Sequence, residues 1–342
     1  MRMRYTGRMR ILFDKTEPEE QALYREMLAG HELTFLESPL RGVVTELATA
    51  HVLCVFVSSS VTREMIAAAP DLKCIVTRSM GFDHIDRAAA KERNVPVSYV
   101  PSYGTRTVAE FGFALLLALS RKAYAAYDRL RTDGTTDVKD FEGFDLAGKT
   151  LGIVGTGKIG KNMARIGRGF DMKIMLCDAF PDEAFAQEVG TSYCKIEDLV
   201  SASDVVSIHV PLMPATQHLI NADVLAKFKR TAYLINTSRG GVVDTKALVE
   251  ALKAGKLAGA GLDVLEGERA LMDETSLLGD DHHDVKEYQE LVAAHALLDM
   301  PNVIVTPHIA FNTREAKREI ATTTAENLLA YIAGTPKNTI PA

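Results

Sequence analysis

The amino-acid sequence predicts an α/β protein with two domains, each built on a parallel β-sheet. At 342 residues the chain is longer than a single common domain. Short apolar runs alternate with helix-like runs along most of its length, a pattern typical of a parallel sheet with helices on both faces. One of the apolar runs ends in a glycine-rich turn at Gly155, which is a further mark of this architecture.

The composition limits the partners. Hydrophobic residues make up 47% and charged residues 25% of the chain, the balance of a soluble globular protein. The net charge of −6 gives no sign of nucleic-acid binding. No apolar run reaches the length of a membrane span, and no hydrophobic signal segment follows the arginines of the N-terminus. We therefore expect a cytoplasmic protein that binds neither nucleic acid nor a membrane.

No metal site is predicted. The cysteines Cys54, Cys74, Cys177 and Cys194 are far apart and form no C-x-x-C pair, which favours free thiols in a reducing compartment. The acidic and histidine-containing run at 280–284 fits no standard ligand spacing, and charge runs of this kind are usually solvated.

The first part of the chain contains the elements of one α/β domain. Strands are predicted at residues 10–13, 31–36, 52–57, 74–77 and 95–98, and helices at 17–28 and 62–69. Met80 and Gly81 follow the strand at 74–77, so they lie at the carboxyl end, where open α/β sheets bind ligands. Tyr103 lies in a second turn and could face a cleft or pack inside. For the segment with Met80 and Gly81, an ordinary turn is an equally good explanation on composition alone.

A long helix is predicted at residues 105–130, because apolar residues cover much of its circumference. Such a helix must be buried between domains or subunits. Residues 133–143 are polar and rich in glycine, which indicates a linker or an exposed loop.

The glycine-rich turn has the pattern of a dinucleotide site. An apolar strand leads into G-x-G-x-x-G, formed by Gly155, Gly157 and Gly160, and a helix follows. The first glycine makes the turn, the second lets the backbone approach a pyrophosphate, and the third packs helix on strand. A glycine turn that binds nothing is the alternative.

Asp178 supports the dinucleotide interpretation and the choice of cofactor. It closes a second strand, at 173–176, eighteen residues beyond Gly160. An acid at this spacing binds the adenine ribose hydroxyls and repels the 2′-phosphate of NADP. Because the next three residues include no arginine or lysine, we predict NAD.

Later strands place polar residues at their carboxyl ends. These strands are predicted at 204–209, 231–236, 258–262 and 301–308, and a terminal helix at 313–333 follows them.

Hydride transfer between NAD and a hydroxy acid needs a cation for the carboxylate and an acid/base for the proton. Arg239 suits the first role and His308 the second, although a surface ion pair and a structural histidine are the alternatives. Glu268 or Glu266 could hold the histidine.

These motifs, in this order, resemble the NAD-dependent D-2-hydroxyacid dehydrogenases. The resemblance rests on the glycine turn and Asp178, on His-Val-Pro-Leu at 209–212, Asn-Thr-Ser-Arg-Gly at 236–240, Gly-Leu-Asp-Val-Leu-Glu-Gly-Glu at 261–268 and Thr-Pro-His at 306–308. It extends from about residue 78 to about residue 314, and the combined motifs are highly specific. The first nine residues match no pattern.

The resemblance implies a role for each matching residue. Arg239, Glu268 and His308 fall on the family's catalytic positions. The family register therefore favours Glu268 over Glu266. The implied cofactor-binding residues are Gly155, Gly157, Lys158, Ile159, Gly160, Asp178, Val210, Pro211, Thr216, Thr237, Ser238, Arg239 and Asp263. The implied substrate-binding residues are Met80, Gly81, Tyr103, Arg239 and Phe311.

The family's fold implies two doubly wound domains with a cleft between them. A flavodoxin-like substrate domain would comprise residues 1–104 and 312–342, and a Rossmann NAD domain residues 105–311. The helix at 313–333 would then return to the first domain. The apolar helix at 105–130 suggests a homodimer.

Within the family, the chain looks like the D-lactate dehydrogenase branch. Val-Pro-Ser-Tyr at 100–103, the long interval 269–300 and the residues from His308 to Phe311 indicate this branch. Gly104 and Thr105 depart from it, since the branch usually has serine and proline after its tyrosine. Pyruvate is therefore the expected substrate and a bulkier 2-oxo acid the alternative. An alternative hypothesis is a binding protein of the same fold, an NAD(H)-sensing corepressor. Formate dehydrogenase is a weaker alternative.

Overall fold

In the computed structural model, which describes residues 7–134, 136–268 and 285–340, two parallel sheets lie in two separate units of the chain. One unit comprises Met1–Gly104 with Asn312–Ala342, and the other comprises Thr105–Phe311. Within the described ranges, the first sheet has five strands and the second has six. The predicted α/β class is therefore confirmed.

The first unit builds its sheet from short strands joined by helices. The strands are β1 (Arg10–Phe13), β2 (Glu32–Phe35), β3 (Val52–Val55), β4 (Cys74–Thr77) and β5 (Val97–Ser98), and the helices are α1 (Pro18–Met27), α2 (Arg63–Ala67) and α3 (Arg87–Glu92). The order is β2-β1-β3-β4-β5, with every named pair parallel. This is the flavodoxin-like order, which reverses direction between β1 and β3. Every residue of β3 and β4 is buried, which explains their continuous apolar sequence.

The second unit alternates strands and helices in the same way. Its helices are α4 (Thr105–Ser120), α5 (Ala123–Asp133), α6 (Lys158–Gly169), α7 (Glu183–Val189), α8 (Ile196–Ala202), α9 (Ala222–Leu225), α10 (Thr245–Lys253) and α11 (Val285–Leu298). Its strands are β6 (Thr150–Val154), β7 (Lys173–Cys177), β8 (Val205–Ile208), β9 (Tyr233–Asn236), β10 (Gly259–Leu262) and β11 (Val303–Val305).

The second sheet has the order β11-β10-β9-β8-β6-β7 and is parallel throughout. Tyr193 forms a single parallel bridge with Leu176 beyond β7. With that bridge counted as a short third strand, the chain winds outward from β6 in both directions, as in a Rossmann sheet. The order reverses between β6 and β8, and a ligand site is expected at the carboxyl ends of these strands.

The helix predicted at 105–130 is wrong in its extent. Residue Lys122, between α4 and α5, has a left-handed backbone with φ 50°. The carbonyl of Ser120 accepts the amide of Phe144 at 2.9 Å. This carbonyl would accept an amide of the next helical turn if the helix continued. The apolar side chains of α4, such as Phe113 and Leu116, pack in the core of their own unit. In α5 no residue is buried.

The last helix, α12 (Arg314–Ile332), belongs to the first unit. The Thr313 hydroxyl caps its N-terminus by accepting a backbone amide. Leu328 packs in a cluster with Phe13 and Tyr24, and the Tyr331 hydroxyl donates to the Lys73 carbonyl at 2.7 Å. The helix therefore packs beside residues of the N-terminal part.

All four cysteines are free, as predicted. Among the described residues there is no cluster of histidine, cysteine or acidic side chains that could hold a metal, and the run at 280–284 lies outside those residues. None of the described helices is long and apolar enough to cross a membrane.

Candidate active site

The six strands of the second sheet bring the predicted residues of that unit to one edge. Because the strands are parallel, their carboxyl ends lie on the same side. Gly155 follows β6, Asp178 follows β7, and Asp263 follows β10. Residues 209–211 follow β8, residues 237–239 follow β9, and residues 306–308 follow β11. Segments far apart in the sequence therefore line one edge.

The glycine turn at this edge has a different spatial requirement at each position. Gly155 has φ +95°, and a Cβ there would lie 2.7 Å from the carbonyl carbon of His209. A Cβ on Gly160 would lie 1.9 Å from the carbonyl oxygen of Gly155. A Cβ on Gly157 would have nothing within 4 Å. The turn is therefore tight on the protein side and open at Gly157, where a pyrophosphate would approach the N-terminus of α6.

The other residues of the turn also border this opening. Lys158 is exposed at the first position of α6, and Ile159 is half-buried behind it. Gly157 is the N-cap residue of α6 and has no side chain with which to cap it. The first amides of the helix therefore remain available to a bound anion.

The carboxylate of Asp178 is held in place by its own chain. Its Oδ2 accepts the Thr156 amide at 2.5 Å and the Thr156 hydroxyl at 3.0 Å, and its Oδ1 accepts the Phe180 amide at 2.9 Å. Tyr193 extends the network, with its hydroxyl 2.8 Å from that of Thr156. Thr156 and Tyr193 were not predicted as site residues. Thr156 is one of the unspecified positions of the glycine motif, and Tyr193 lies outside every motif.

The loop after β9 is shaped by one asparagine. Asn236 accepts the amide and the hydroxyl of Ser238 through Oδ1, at 3.0 and 2.8 Å, and donates to the carbonyl of Arg239 at 3.0 Å. The Thr237 hydroxyl is buried and has no hydrogen-bond partner among the described residues. A buried hydroxyl without a partner is costly, and a polar ligand group would satisfy it. Arg239 itself is half-buried.

His308 is paired with Glu268. The Nδ1 of His308 lies 3.0 Å from Oε1 of Glu268, and the two side chains are 21% and 30% exposed. His308 has a left-handed backbone with φ 53°, a conformation that non-glycine residues adopt only when their surroundings hold them there. The carbonyl of Asp263 accepts the His308 amide at 3.0 Å. A histidine with one ring nitrogen bound to a carboxylate has its tautomer and orientation fixed.

The side chain of Asp263 anchors the histidine loop. Its Oδ1 accepts the Thr306 hydroxyl at 2.6 Å and the Ile309 amide at 2.9 Å, and its Oδ2 accepts the Ala310 amide at 2.8 Å. Burial raises the pKa of this carboxyl, and the hydrogen bonds oppose that rise. The Thr306 contact was not predicted, although this threonine belongs to the Thr-Pro-His motif.

The two glutamates of the 261–268 motif have different partners. Glu268 contacts His308, whereas Oε1 of Glu266 lies 2.6 Å from Nε2 of His218. Glu268, which the family register favours, is thus the glutamate of this motif that contacts His308. The contact of Glu266 with His218 was not indicated by any sequence motif.

The remaining predicted cofactor residues form the loop after β8. Val210 and Thr216 are half-buried, and Pro211 is exposed. The Thr216 hydroxyl donates to the carbonyl of Pro211 at 2.6 Å and accepts the amide of Met213 at 2.9 Å. These contacts close the loop on itself.

The predicted substrate residues are divided between the two units. Phe311 is half-buried at the end of the second unit. Met80, Gly81 and Tyr103 belong to the first unit, where Tyr103 is 8% exposed and the other two are half-buried. The Ser79 hydroxyl donates to the Gly81 carbonyl at 2.6 Å, which closes the turn after β4.

A cavity of about 230 Å³ adjoins the His308–Glu268 pair. It is lined by Asp263, Val264, Leu265, Glu268, Leu298, Val305, Thr306, Pro307 and His308. Apart from the paired groups, Asp263 and Thr306, the residues that line the cavity are apolar.

Known proteins resemble this chain over most of its length. The sequence profile of the D-isomer specific 2-hydroxyacid dehydrogenase NAD-binding domain matches residues 113–310. A D-lactate dehydrogenase of Curvularia clavata, kk1H, is 42% identical over 310 residues, which is 89% of this chain and 85% of that protein. A glyoxylate reductase of Korarchaeum cryptofilum is 38% identical over 296 residues, covering 85% of this chain and 82% of that one.

A solved structure is similar over nearly the whole length. It is D-lactate dehydrogenase from Aquifex aeolicus complexed with NAD and lactic acid, with a TM-score of 0.84 and 35% identity over 95% of this chain and 96% of that one. The chain belongs to the D-isomer specific 2-hydroxyacid dehydrogenase family. Its cofactor is NAD.

Proposed function

We propose that this protein reduces a 2-oxo acid to the D-2-hydroxy acid, with pyruvate as the first substrate to test. The observation that carries the proposal is the 3.0 Å contact between Glu268 and His308, on the same sheet edge as the glycine turn. A histidine oriented by a carboxylate is a suitable acid/base near neutrality.

In the proposed reaction the cofactor supplies the hydride and the chain supplies the proton. Bound NADH supplies a hydride from its nicotinamide C4 to the carbonyl carbon. With Nδ1 directed to Glu268, the Nε2 of His308 is the nitrogen that gives its proton to the carbonyl oxygen. Glu268 stabilises the imidazolium before the transfer. The reverse reaction returns the proton to His308.

The substrate carboxylate requires a fixed cation. Arg239 is assigned this role because a guanidinium binds a carboxylate through two parallel hydrogen bonds. The backbone of Met80 and Gly81 is assigned a second contact to the same carboxylate. Tyr103 and Phe311 are assigned the substrate side chain, because both offer a large aromatic ring.

The cofactor assignments rest on the features around the glycine turn. Space at Gly157, the amides at the start of α6 and the fixed carboxylate of Asp178 suit a dinucleotide. The buried Thr237 hydroxyl suits a polar group of the nicotinamide half. Asp263 already accepts three hydrogen bonds, so any contact to the carboxamide would use the remaining capacity of Oδ2.

Two further parts of the proposal concern substrate and assembly. Relatives named D-lactate dehydrogenase and glyoxylate reductase support a small 2-oxo acid, pyruvate before glyoxylate. A homodimer in the cytoplasm remains our proposal for the cell. Since α4 is buried in its own unit, the exposed residues of α5, Tyr124, Tyr127 and Leu130, are the surface assigned to the dimer.

The experiment measures NADH oxidation with pyruvate, glyoxylate, phenylpyruvate, 2-oxoisocaproate, hydroxypyruvate and oxaloacetate. We expect His308→Ala to lower kcat by about 10²- to 10⁴-fold, because proton transfer is lost. Arg239→Ala should raise KM for the oxo acid, and Arg239→Lys should recover only part, since lysine offers a point charge.

The matched control is Arg165→Ala. Arg165 is paired with Glu188 on the outer surface of its unit, so turnover should match the wild type. Wild-type turnover in His308→Ala on every accepted substrate would exclude the assigned role. NADH binding without turnover of any oxo acid in the wild type would exclude the proposed activity and favour a sensing protein.

A further inference from the structure

Two glutamates lie two residues apart on one loop, and only one of them contacts the proposed catalytic histidine. Glu266 is the more buried of the two, with its side chain 11% exposed. Its Oε1 lies 2.6 Å from Nε2 of His218, and its Oε2 accepts the amide of Thr245 at 3.0 Å. Both carboxylate oxygens are therefore used, and each holds a different segment of the chain.

The first of these segments is the loop after β8. His218 ends this loop in a left-handed conformation with φ 50°, and its amide donates to the carbonyl of Gly241 at 2.9 Å. Two residues later, Ile220 forms a parallel bridge with Val243. Both the side chain and the backbone of His218 thus fasten this loop to its neighbours.

The second segment begins at Arg239 and ends at the start of α10. Its next residue, Gly240, packs directly on the loop that carries Glu266. A Cβ on Gly240 would lie 2.0 Å from the carbonyl carbon of Leu265 and 2.5 Å from the amide nitrogen of Glu266. The segment therefore meets Glu266 twice, through the backbone at Gly240 and through the side chain at Thr245.

We propose that Glu266, bonded to His218 and to the Thr245 amide, is a positioning residue that fixes the Arg239 segment relative to the Glu268–His308 pair. This inference rests on the proposed function, which gives Arg239 and His308 their roles. Glu266 touches none of the reacting atoms and acts through the segments it joins.

The physical reason lies in the precision that such a reaction requires. A misplacement of about 1 Å between reacting groups can cost about 10²-fold in rate. Arg239, Glu268 and His308 all lie beyond the ends of strands, where the ladder hydrogen bonds no longer hold the backbone. A mostly buried carboxylate with a charge-assisted or polar partner on each oxygen replaces that restraint.

The first test does not depend on catalysis. It compares amide hydrogen exchange of the wild type, Glu266→Ala and His218→Ala in the presence of NADH. We expect faster amide exchange at both 210–220 and 239–245 in each variant, because the hydrogen bonds of Glu266 hold both segments. The control Glu188→Ala should leave both segments unchanged, since Glu188 lies on α7 in an exposed ion pair. Unchanged exchange in the two test variants would overturn the proposal.

The second test separates positioning from general destabilisation. For Glu266→Ala we expect kcat on the preferred oxo acid to fall by about 10- to 100-fold, with a higher KM for that acid. NADH affinity, measured by fluorescence, should change by about twofold or less. Glu266→Gln and His218→Gln should recover most of the activity, because an amide can still bond to the partner groups. Wild-type kcat in Glu266→Ala, or an equal loss of NADH affinity, would overturn the role.

The two tests distinguish the proposals from each other. If the wild type reduced no 2-oxo acid, the proposed function would fall. Hydrogen exchange would still decide whether Glu266 and His218 hold the two segments together. If the wild type were active and the exchange unchanged, the positioning role alone would fall.

Discussion

The three glycines of the turn at 155–160 meet three different environments. A Cβ on Gly160 would collide with the carbonyl oxygen of Gly155 at 1.9 Å, whereas a Cβ on Gly157 would meet no atom within 4 Å. At Gly160 the protein itself excludes a side chain. At Gly157 only a bound ligand would exclude one. The same substitution should therefore have different effects at the two sites.

We expect Gly157→Ala to leave the free energy of unfolding nearly unchanged and to weaken NADH binding, because the methyl group takes the space of the pyrophosphate. Gly160→Ala should lower the stability itself, since backbone must shift to relieve the contact. Urea unfolding without cofactor and NADH titration by fluorescence measure the two effects. Equal destabilisation by both substitutions would contradict this assignment.

A second residue-scale prediction concerns His209, the residue after β8. Burial lowers its pKa from the ordinary 6.5 to about 3, and its Nε2 lies 2.9 Å from the Ser207 hydroxyl. Between these two pH values the unfolded chain binds a proton that the folded chain does not. The free energy of unfolding should therefore decrease as the pH falls from about 6.5 toward 3. The decrease is at most about 1.4 kcal/mol per pH unit.

The test is urea unfolding of the wild type and His209→Gln across that pH range. Glutamine is uncharged at every pH, so the variant should lose stability less steeply on acidification. Parallel pH dependence of the two proteins would show that His209 is not the group responsible.

At the scale of elements, the sequence predicted strands well because a parallel sheet covered by helices demands continuous apolar runs. Its errors lay at the ends. The last strand was predicted at 301–308, and only Val303–Val305 pairs with β10. The residues that follow include Thr306 and His308, which the chain uses for the site. Apolar character therefore located the strand, and pairing with β10 determined its length.

The helix at 105–130 shows what periodicity could not reveal. Both halves have sequences compatible with a helix, and the break at Lys122 occurs where the carbonyl of Ser120 accepts the amide of Phe144. That contact joins residues more than twenty positions apart. Only α4 buries its apolar side chains, so apolar composition over the whole interval overstated the buried length.

At the scale of the whole molecule, a buried ion pair holds the first unit together. Arg78, directly after β4, is 3% exposed and bonds to Asp14, which follows β1 and is fully buried. Asp14 also accepts the Phe56 amide at 2.7 Å and the Ser59 hydroxyl at 2.5 Å. Neither residue belongs to a motif, and the sequence did not predict their contact.

We expect Arg78→Met to cost about 3–5 kcal/mol of unfolding free energy, because Asp14 would keep a buried charge without its partner. NADH affinity should remain close to that of the wild type, since the glycine turn and Asp178 belong to the other unit. Urea unfolding and NADH titration measure these effects. The matched control is Arg63→Met, which removes an exposed pair with Glu92 and should change stability little. A parallel loss of NADH affinity would contradict the assignment of the cofactor residues to the second unit.

The sequence by itself determined the α/β class, the dinucleotide turn, NAD as cofactor and the family, because these depend on local spacing and residue chemistry. It named Arg239, Glu268 and His308 from motifs and predicted a glutamate beside the histidine, but it indicated no partner for Glu266. The tertiary structure decided that Glu268 contacts His308 while Glu266 contacts His218, and that Asp263 anchors the histidine loop. Such contacts join residues distant in sequence, and only the folding of parallel strands into one sheet brings their ends together.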